Sequence, residues 1–132
     1  MLIGSSGQMT YTFENVIAWQ RAHQFVLAVY GITKGFPLEE MYGLTSQFRR
    51  AAVSIEANIA EGYKKLSKAD KLRFMNISQG SVEECRDYII LSRDLQYINE
   101  QQFSDLHEAL EDASKMLYLY CNGIINNSGI KE

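Results

Sequence analysis

Residues Leu44–Tyr63 read LTSQFRRAAVSIEANIAEGY, and two patterns are written into them. Leu44, Phe48, Ala51, Ile55 and Ile59 recur at steps of three and four, the spacing that places side chains on one face of an α-helix. Gln47, Arg50, Ser54, Asn58 and Glu61 follow their own steps of three and four. At roughly 100° per residue these five fall within an arc of about 80° beside the apolar line. Thr45 or Ser46 is a candidate N-cap, and Gly62 stands where the helix should end. The segment reads as an amphipathic helix, helix 2, with a narrow polar stripe next to its buried face.

The same period extends to both sides. Helix 1 is expected from about Asn15 to Thr33, with Val16, Trp19, Ala22, Val26, Val29 and Thr33 on one line. Lys34-Gly35-Phe36-Pro37 ends it, and Pro37 is the chain's only proline. Helix 3 is expected from about Lys68 to Ile98, with Ser67 as N-cap and Asp70 at the positive end of the helix dipole. Its seam reads Phe74, Ile77, Ser81, Glu84, Tyr88, Leu91, Leu95 and Ile98, with Gly80 marking a bend or a close helix contact. Helix 4, from about Glu100 to Asn126, repeats Phe103, Leu106, Leu110, Ala113, Leu117, Tyr120 and Ile124 without a miss. Strand-like alternation and hairpin turns are absent from the sequence. Four amphipathic helices with short connections predict an all-α, antiparallel up-down four-helix bundle over residues 13–126. A flexible N-terminal arm or cloning remnant is expected over 1–12, and a frayed tail over 127–132.

The unusual chemistry lies between helices 2 and 3. Ser81 and Glu84 occupy seam positions otherwise filled by apolar residues, and a carboxylate there is costly unless paired. Arg50 is the natural partner, because a guanidinium meets a carboxylate in a two-pronged contact. Gln47, Arg50, Ser54, Asn58, Glu61, Ser81 and Glu84 therefore read first as a polar network that sets the register of helices 2 and 3. A binding or catalytic cleft and a partly solvated face are the alternatives.

Composition sets the remaining bounds. The chain has 132 residues, 46% hydrophobic and 22% charged, which suits one soluble domain with a real core. Its net charge is -3, unlike a simple basic nucleic-acid-binding domain. Charge is uneven, however. Thr45–Met75 holds seven bases against three acids, and Glu83–Asp112 holds two bases against nine acids. Arg49, Lys64, Lys65, Lys68, Lys71 and Arg73 are candidate phosphate contacts around the helix 2–helix 3 turn. In a symmetric oligomer such a turn repeats as a basic ring. A solvated turn is the plainer reading, and Tyr63 is the single aromatic beside it for stacking.

Cys85 and Cys121 match no metal spacing and read as buried reduced thiols. His23 and His107 lack the partners that a metal or nucleophilic site needs, so no catalytic residue, cofactor or metal is expected. The sequence has no run of about 20 apolar residues and no basic leader before an apolar stretch. A cytoplasmic location is expected by default.

The run Tyr42–Gly62, YGLTSQFRRAAVSIEANIAEG, resembles the signature of the four-helix bundle proteins first named for reading frames in 23S ribosomal RNA intervening sequences. Ala18-Trp19-Gln20-Arg21-Ala22, the Phe36-Pro37 step and Gly80-Ser81-Val82-Glu83-Glu84 are similar to that family's other landmarks. The resemblance covers about residues 13 to 125. It implies a left-handed up-down bundle assembled as a homopentamer, and it brings no established activity. It extends to the accessory variability proteins of diversity-generating retroelements, basic pentameric barrels that bind reverse transcriptase and nucleic acid; this chain departs from them in being acidic overall. The expected function is a non-enzymatic homo-oligomeric scaffold or interaction module, associated with RNA or with an RNA-processing or reverse-transcriptase-like protein. Direct binding of RNA or DNA through the basic turn is the alternative.

Overall fold

The computed structural model describes residues 2–3 and 9–127. Four helices carry the fold: α1 (Ile17–Thr33), α2 (Leu44–Tyr63), α3 (Lys68–Asp94) and α4 (Glu100–Asn126). Single 3-10 turns, Phe13–Asn15 and Leu38–Glu40, lead into α1 and α2. Within the expected N-terminal arm, Leu2–Ile3 pairs antiparallel with Met9–Thr10, a two-residue ladder that the sequence does not announce. Beyond Asn127 the expected frayed tail lies outside the described residues.

Contacts between helices fix their directions. Thr33 meets Arg49 and His23 meets Glu56 across α1 and α2. Ser54 meets Ser81, Ile55 meets Ser78 and Tyr63 meets Lys71 across α2 and α3. Lys68 meets Ile125 and Arg86 meets Glu111 across α3 and α4. In each pair the numbers rise on one helix as they fall on the other, so neighbours run antiparallel. Packing of α1 against α4 closes the ring, with Arg21 Nη1 2.6 Å from Asp112 Oδ2. Inside it lie Phe25, Phe48, Ile55, Ile59, Met75, Ile89, Leu110 and Leu117, all fully buried. The Phe25, Phe48 and Tyr88 rings form a chain through the core, with centroid separations of 6.4 Å and 5.9 Å.

Helix 3 is rotated relative to the expected seam. Its buried line is Lys71, Met75, Ser78, Ser81, Val82, Cys85, Ile89 and Ser92, while Ile77, Leu91 and Leu95 are 45%, 41% and 45% exposed. The cause is the chemistry of small hydroxyls. Ser78 Oγ donates to the Ile55 carbonyl at 2.8 Å and Ser92 Oγ to the Tyr88 carbonyl at 2.7 Å. A serine satisfied by a backbone carbonyl enters a core at little cost, yet it counts as polar in a hydropathy pattern.

Two helix ends also differ from expectation. Helix 3 stops at Asp94, because Gln96 turns into the left-handed region at φ 64°. Tyr97 N donates to the Ser92 carbonyl and Gln96 N to the Arg93 carbonyl, each at 2.9 Å. That pattern is a Schellman cap, built here without the usual glycine. The N-cap of α2 is Gly43 rather than Thr45 or Ser46. A carboxylate from the preceding turn supplies the cap: Glu40 Oε1 accepts from Leu44 N at 3.0 Å. Glu40 Oε2 also accepts from the Tyr97 hydroxyl at 2.8 Å, tying the α1–α2 connection to the α3–α4 corner. The Leu44 amide and the Tyr97 hydroxyl hold the Glu40 carboxyl below its ordinary value, and Glu40 in turn raises Tyr97.

Gly62 lies in the last turn of α2, as expected, and it also lets α3 approach. A Cβ at Gly62 meets Met75 Cε at 2.5 Å and Phe74 Cβ at 2.9 Å, whereas one at Gly80 meets nothing within 4 Å. Gly80 therefore marks no close helix contact. In urea titrations, Gly62→Ala is expected to lose about 1–3 kcal/mol through overpacking. Gly80→Ala is expected to gain up to about 1 kcal/mol through helix propensity. Equal stability of the two variants contradicts this account of the α2–α3 contact.

Candidate functional site

The polar stripe of α2 separates into an inner and an outer part. Ser54, Asn58 and Ser81 come together. Ser81 Oγ donates to Ser54 Oγ at 2.8 Å, and Asn58 Nδ2 donates to the Ser54 carbonyl at 2.8 Å and to Ser54 Oγ at 3.1 Å. This group sits at the bottom of the α2–α3 groove, where Ser81 is buried. Gln47, Arg50, Glu61 and Glu84 are exposed. The expected Arg50–Glu84 pair is not formed, and neither residue makes an ion pair among the described residues. With the seam rotated, Glu84 points outward. Its charge lies near Tyr88, whose hydroxyl is raised first by burial and then by Glu84.

The outer groove has a definite make-up. Arg50 lies one turn before Ser54 and Glu84 one turn after Ser81, so the two charges stand at the same level of the antiparallel pair. Around α3, Ile77, Glu84, Tyr88, Leu91 and Leu95 lie within about 80° of Ser81 on the side away from the core. The result is a strip of exposed aliphatic side chains running beside Gln47, Arg50 and Glu61.

The candidate phosphate contacts do not act as one cluster. Lys71 is buried, with its Nζ donating to the Tyr63 carbonyl at 2.8 Å. Lys68 Nζ donates to the Ile125 carbonyl at 3.0 Å. These lysines close the C-termini of α2 and α4, where cations oppose the helix dipole. Lys65 lies 5.0 Å above the Phe74 ring and Arg73 lies 4.7 Å from it. Arg73 is also 3.7 Å from Asp70, and Lys64 is exposed. Arg49 belongs to the other end of the bundle, roughly 20 Å away at 1.5 Å per residue. It donates to Thr33 Oγ1 at 2.8 Å and lies 4.6 Å above the Tyr30 ring.

Other titratable groups have structural partners that the sequence pattern misses. His23 Nδ1 lies 3.0 Å from Glu56 Oε1, and its ring stacks on Trp19 at 4.8 Å. Arg86 reaches Glu111 through Nε at 2.6 Å and Nη2 at 2.7 Å, and it also contacts Ser114 and Glu83. These bonds raise the Arg86 guanidinium, and Arg86 holds Glu111 below its ordinary value. No single-helix period signals such cross-helix pairs. Both thiols are free. Burial pushes Cys85 up to about 12 and raises Cys121, so neither is a thiolate nucleophile at neutral pH. Among the described residues, no three His, Cys, Asp or Glu side chains gather as a metal site, and no helix is long and apolar enough to cross a membrane.

Comparison with known proteins agrees with this geometry. A family model described as 23S rRNA-intervening sequence protein matches residues 14–119. Among solved structures, the chain is similar to a protein of unknown function from the S23 ribosomal protein family of Bacteroides thetaiotaomicron. The two share 21% identity at a TM-score of 0.74, over 80% of this chain and 96% of that one. No curated protein matches. A double-mutant cycle checks the inner group: Ser54→Ala and Ser81→Ala are expected to couple by about 0.5–1.5 kcal/mol. Purely additive effects contradict the hydrogen bond between them.

Proposed function

The chain belongs to the 23S rRNA-intervening sequence protein family, and from that premise we propose that it is a non-enzymatic, cytoplasmic bundle that assembles as a homopentamer and serves as a scaffold for RNA-associated machinery. The observation that carries this reading is the outer α2–α3 groove. Ile77, Leu91 and Leu95 are each more than two-fifths exposed, and they flank Arg50 and Glu84, which form no ion pair among the described residues. A mixed strip of aliphatic and charged side chains is what a specific interface between copies contains. The strongly shifted groups support a non-catalytic role, because helix clasps or burial account for them.

Light scattering is expected to give about 75 kDa, five times the 15.1 kDa chain. Leu91→Glu is expected to lower that mass while helical content is kept. A monomer at micromolar concentration, or an unchanged mass in Leu91→Glu, contradicts the proposal.

A second reading, direct nucleic-acid binding at the α2–α3 turn, is supported by Lys64, Lys65 and Arg73 at one end of the bundle. With Lys68 and Lys71 drawn onto carbonyls, few phosphates per copy are within its means. Binding to mixed RNA or DNA is expected to fall with salt at a slope set by about two or three contacts per copy. Absence of binding at low salt, or binding unchanged in a Lys64→Glu, Lys65→Glu chain, removes this reading.

A further inference from the structure

The end of the bundle opposite Glu40 holds a pocket of about 330 Å³, open to solvent on one side. Tyr63, Leu119, Tyr120 and Ile124 wall it, Gly123 leaves space in it, and Asn127 and Lys71 supply polar groups. Lys71 is the unusual member. It is 8% exposed, its Nζ lies 5.7 Å from the centre of the Tyr63 ring, and one N–H goes to the Tyr63 carbonyl. An ammonium has three donors, and no carboxylate among the described residues lies within ion-pair distance of this one. A buried charge without a counter-ion is costly. The C-terminus of α2 answers it only in part, because a helix end carries roughly half an elementary charge. Lys68, drawn onto the Ile125 carbonyl, adds a second cation to the same end.

We propose that this pocket binds a small organic carboxylate with an apolar body. The carboxylate meets the Lys71 ammonium and completes its charge, with the Asn127 amide as a further donor. The body lies against Tyr63, Leu119 and Ile124. Apolar walls with few polar groups suit such a ligand. A free phosphate suits the site less, since it calls for several converging donors. The volume lies at the small end of the range for ligand sites, about 300–1,000 Å³, which limits the body to about one aromatic ring.

Methyl spectra of Leu119 and Ile124, recorded on the full chain during titration with phenylacetate, test the proposal. Saturable shifts at both residues are expected, with a dissociation constant near or below about 1 mM. Phenylacetamide, which has the same body without the charge, is expected to bind at least tenfold more weakly. Lys71→Met removes the cap of α2 as well as the charge, so Gly123→Leu serves as the blocking variant. A Cβ at Gly123 meets nothing within 4 Å, so the leucine fills the pocket with the fold kept, and phenylacetate binding is expected to fall at least tenfold. Four results overturn the proposal: no saturation with phenylacetate, equal binding of phenylacetamide, equal binding of inorganic phosphate, or undiminished binding in Gly123→Leu.

Discussion

The close approach of α2 and α3 is the constraint on which the other features rest. It is set at two points by the absence of side-chain bulk. Gly62 leaves room for Met75 and Phe74, and Ser78 reaches the Ile55 carbonyl from a position with no exposure. Backbones this close leave the groove floor space only for small groups, and Ser54, Asn58 and Ser81 fill it with mutual hydrogen bonds. Once the floor is fixed, the rotation of α3 is fixed. Val82, Cys85 and Ile89 then face the core, and Ile77, Leu91 and Leu95 face outward.

The corners serve the same geometry. Glu40 caps α2 from outside the helix and holds the Tyr97 hydroxyl. Lys68 and Lys71 close the carbonyl ends of α4 and α2. Two of the six charges that look like a surface for phosphates, Lys68 and Lys71, are thus spent on helix termini. Two places combine charge outside any ion pair among the described residues with apolar surface: Arg50 and Glu84 beside the exposed aliphatic side chains of the outer groove, and Lys71 in the pocket at the bundle end. Function is therefore sought at those places.

Much of this was legible in the sequence. Four helices, Pro37 between the first two, the Ser67 cap and the full extent of α4 follow from period and capping chemistry. The rotation of α3 was not legible, because Ser78 and Ser92 read as polar and hide the true buried line. The end of α3 was missed because Gln96 takes a conformation usually given to glycine. The spacing placed Gln47, Arg50, Ser54, Asn58 and Glu61 in one stripe and Ser81 and Glu84 on the facing seam; of these, Ser54, Asn58 and Ser81 meet, while the other four are exposed. The pairing of Arg50 with Glu84 rested on charge complementarity, which depends on where α3 points and so failed with the rotation. His23–Glu56 and Arg86–Glu111 join residues far apart in sequence, and a single sequence carries no signal for them.

Assembly through the α2–α3 face is the central claim, and side-chain reactivity reads it directly. Hydroxyl-radical labelling of the intact protein compares Ile77, Leu91 and Leu95 with Tyr42, which is 93% exposed, and Tyr118, which is 59% exposed, each judged against its intrinsic reactivity. The account predicts that the three aliphatic residues are labelled far less than their exposure in one chain implies, while both tyrosines react fully. Labelling of all five in proportion to single-chain exposure would contradict it.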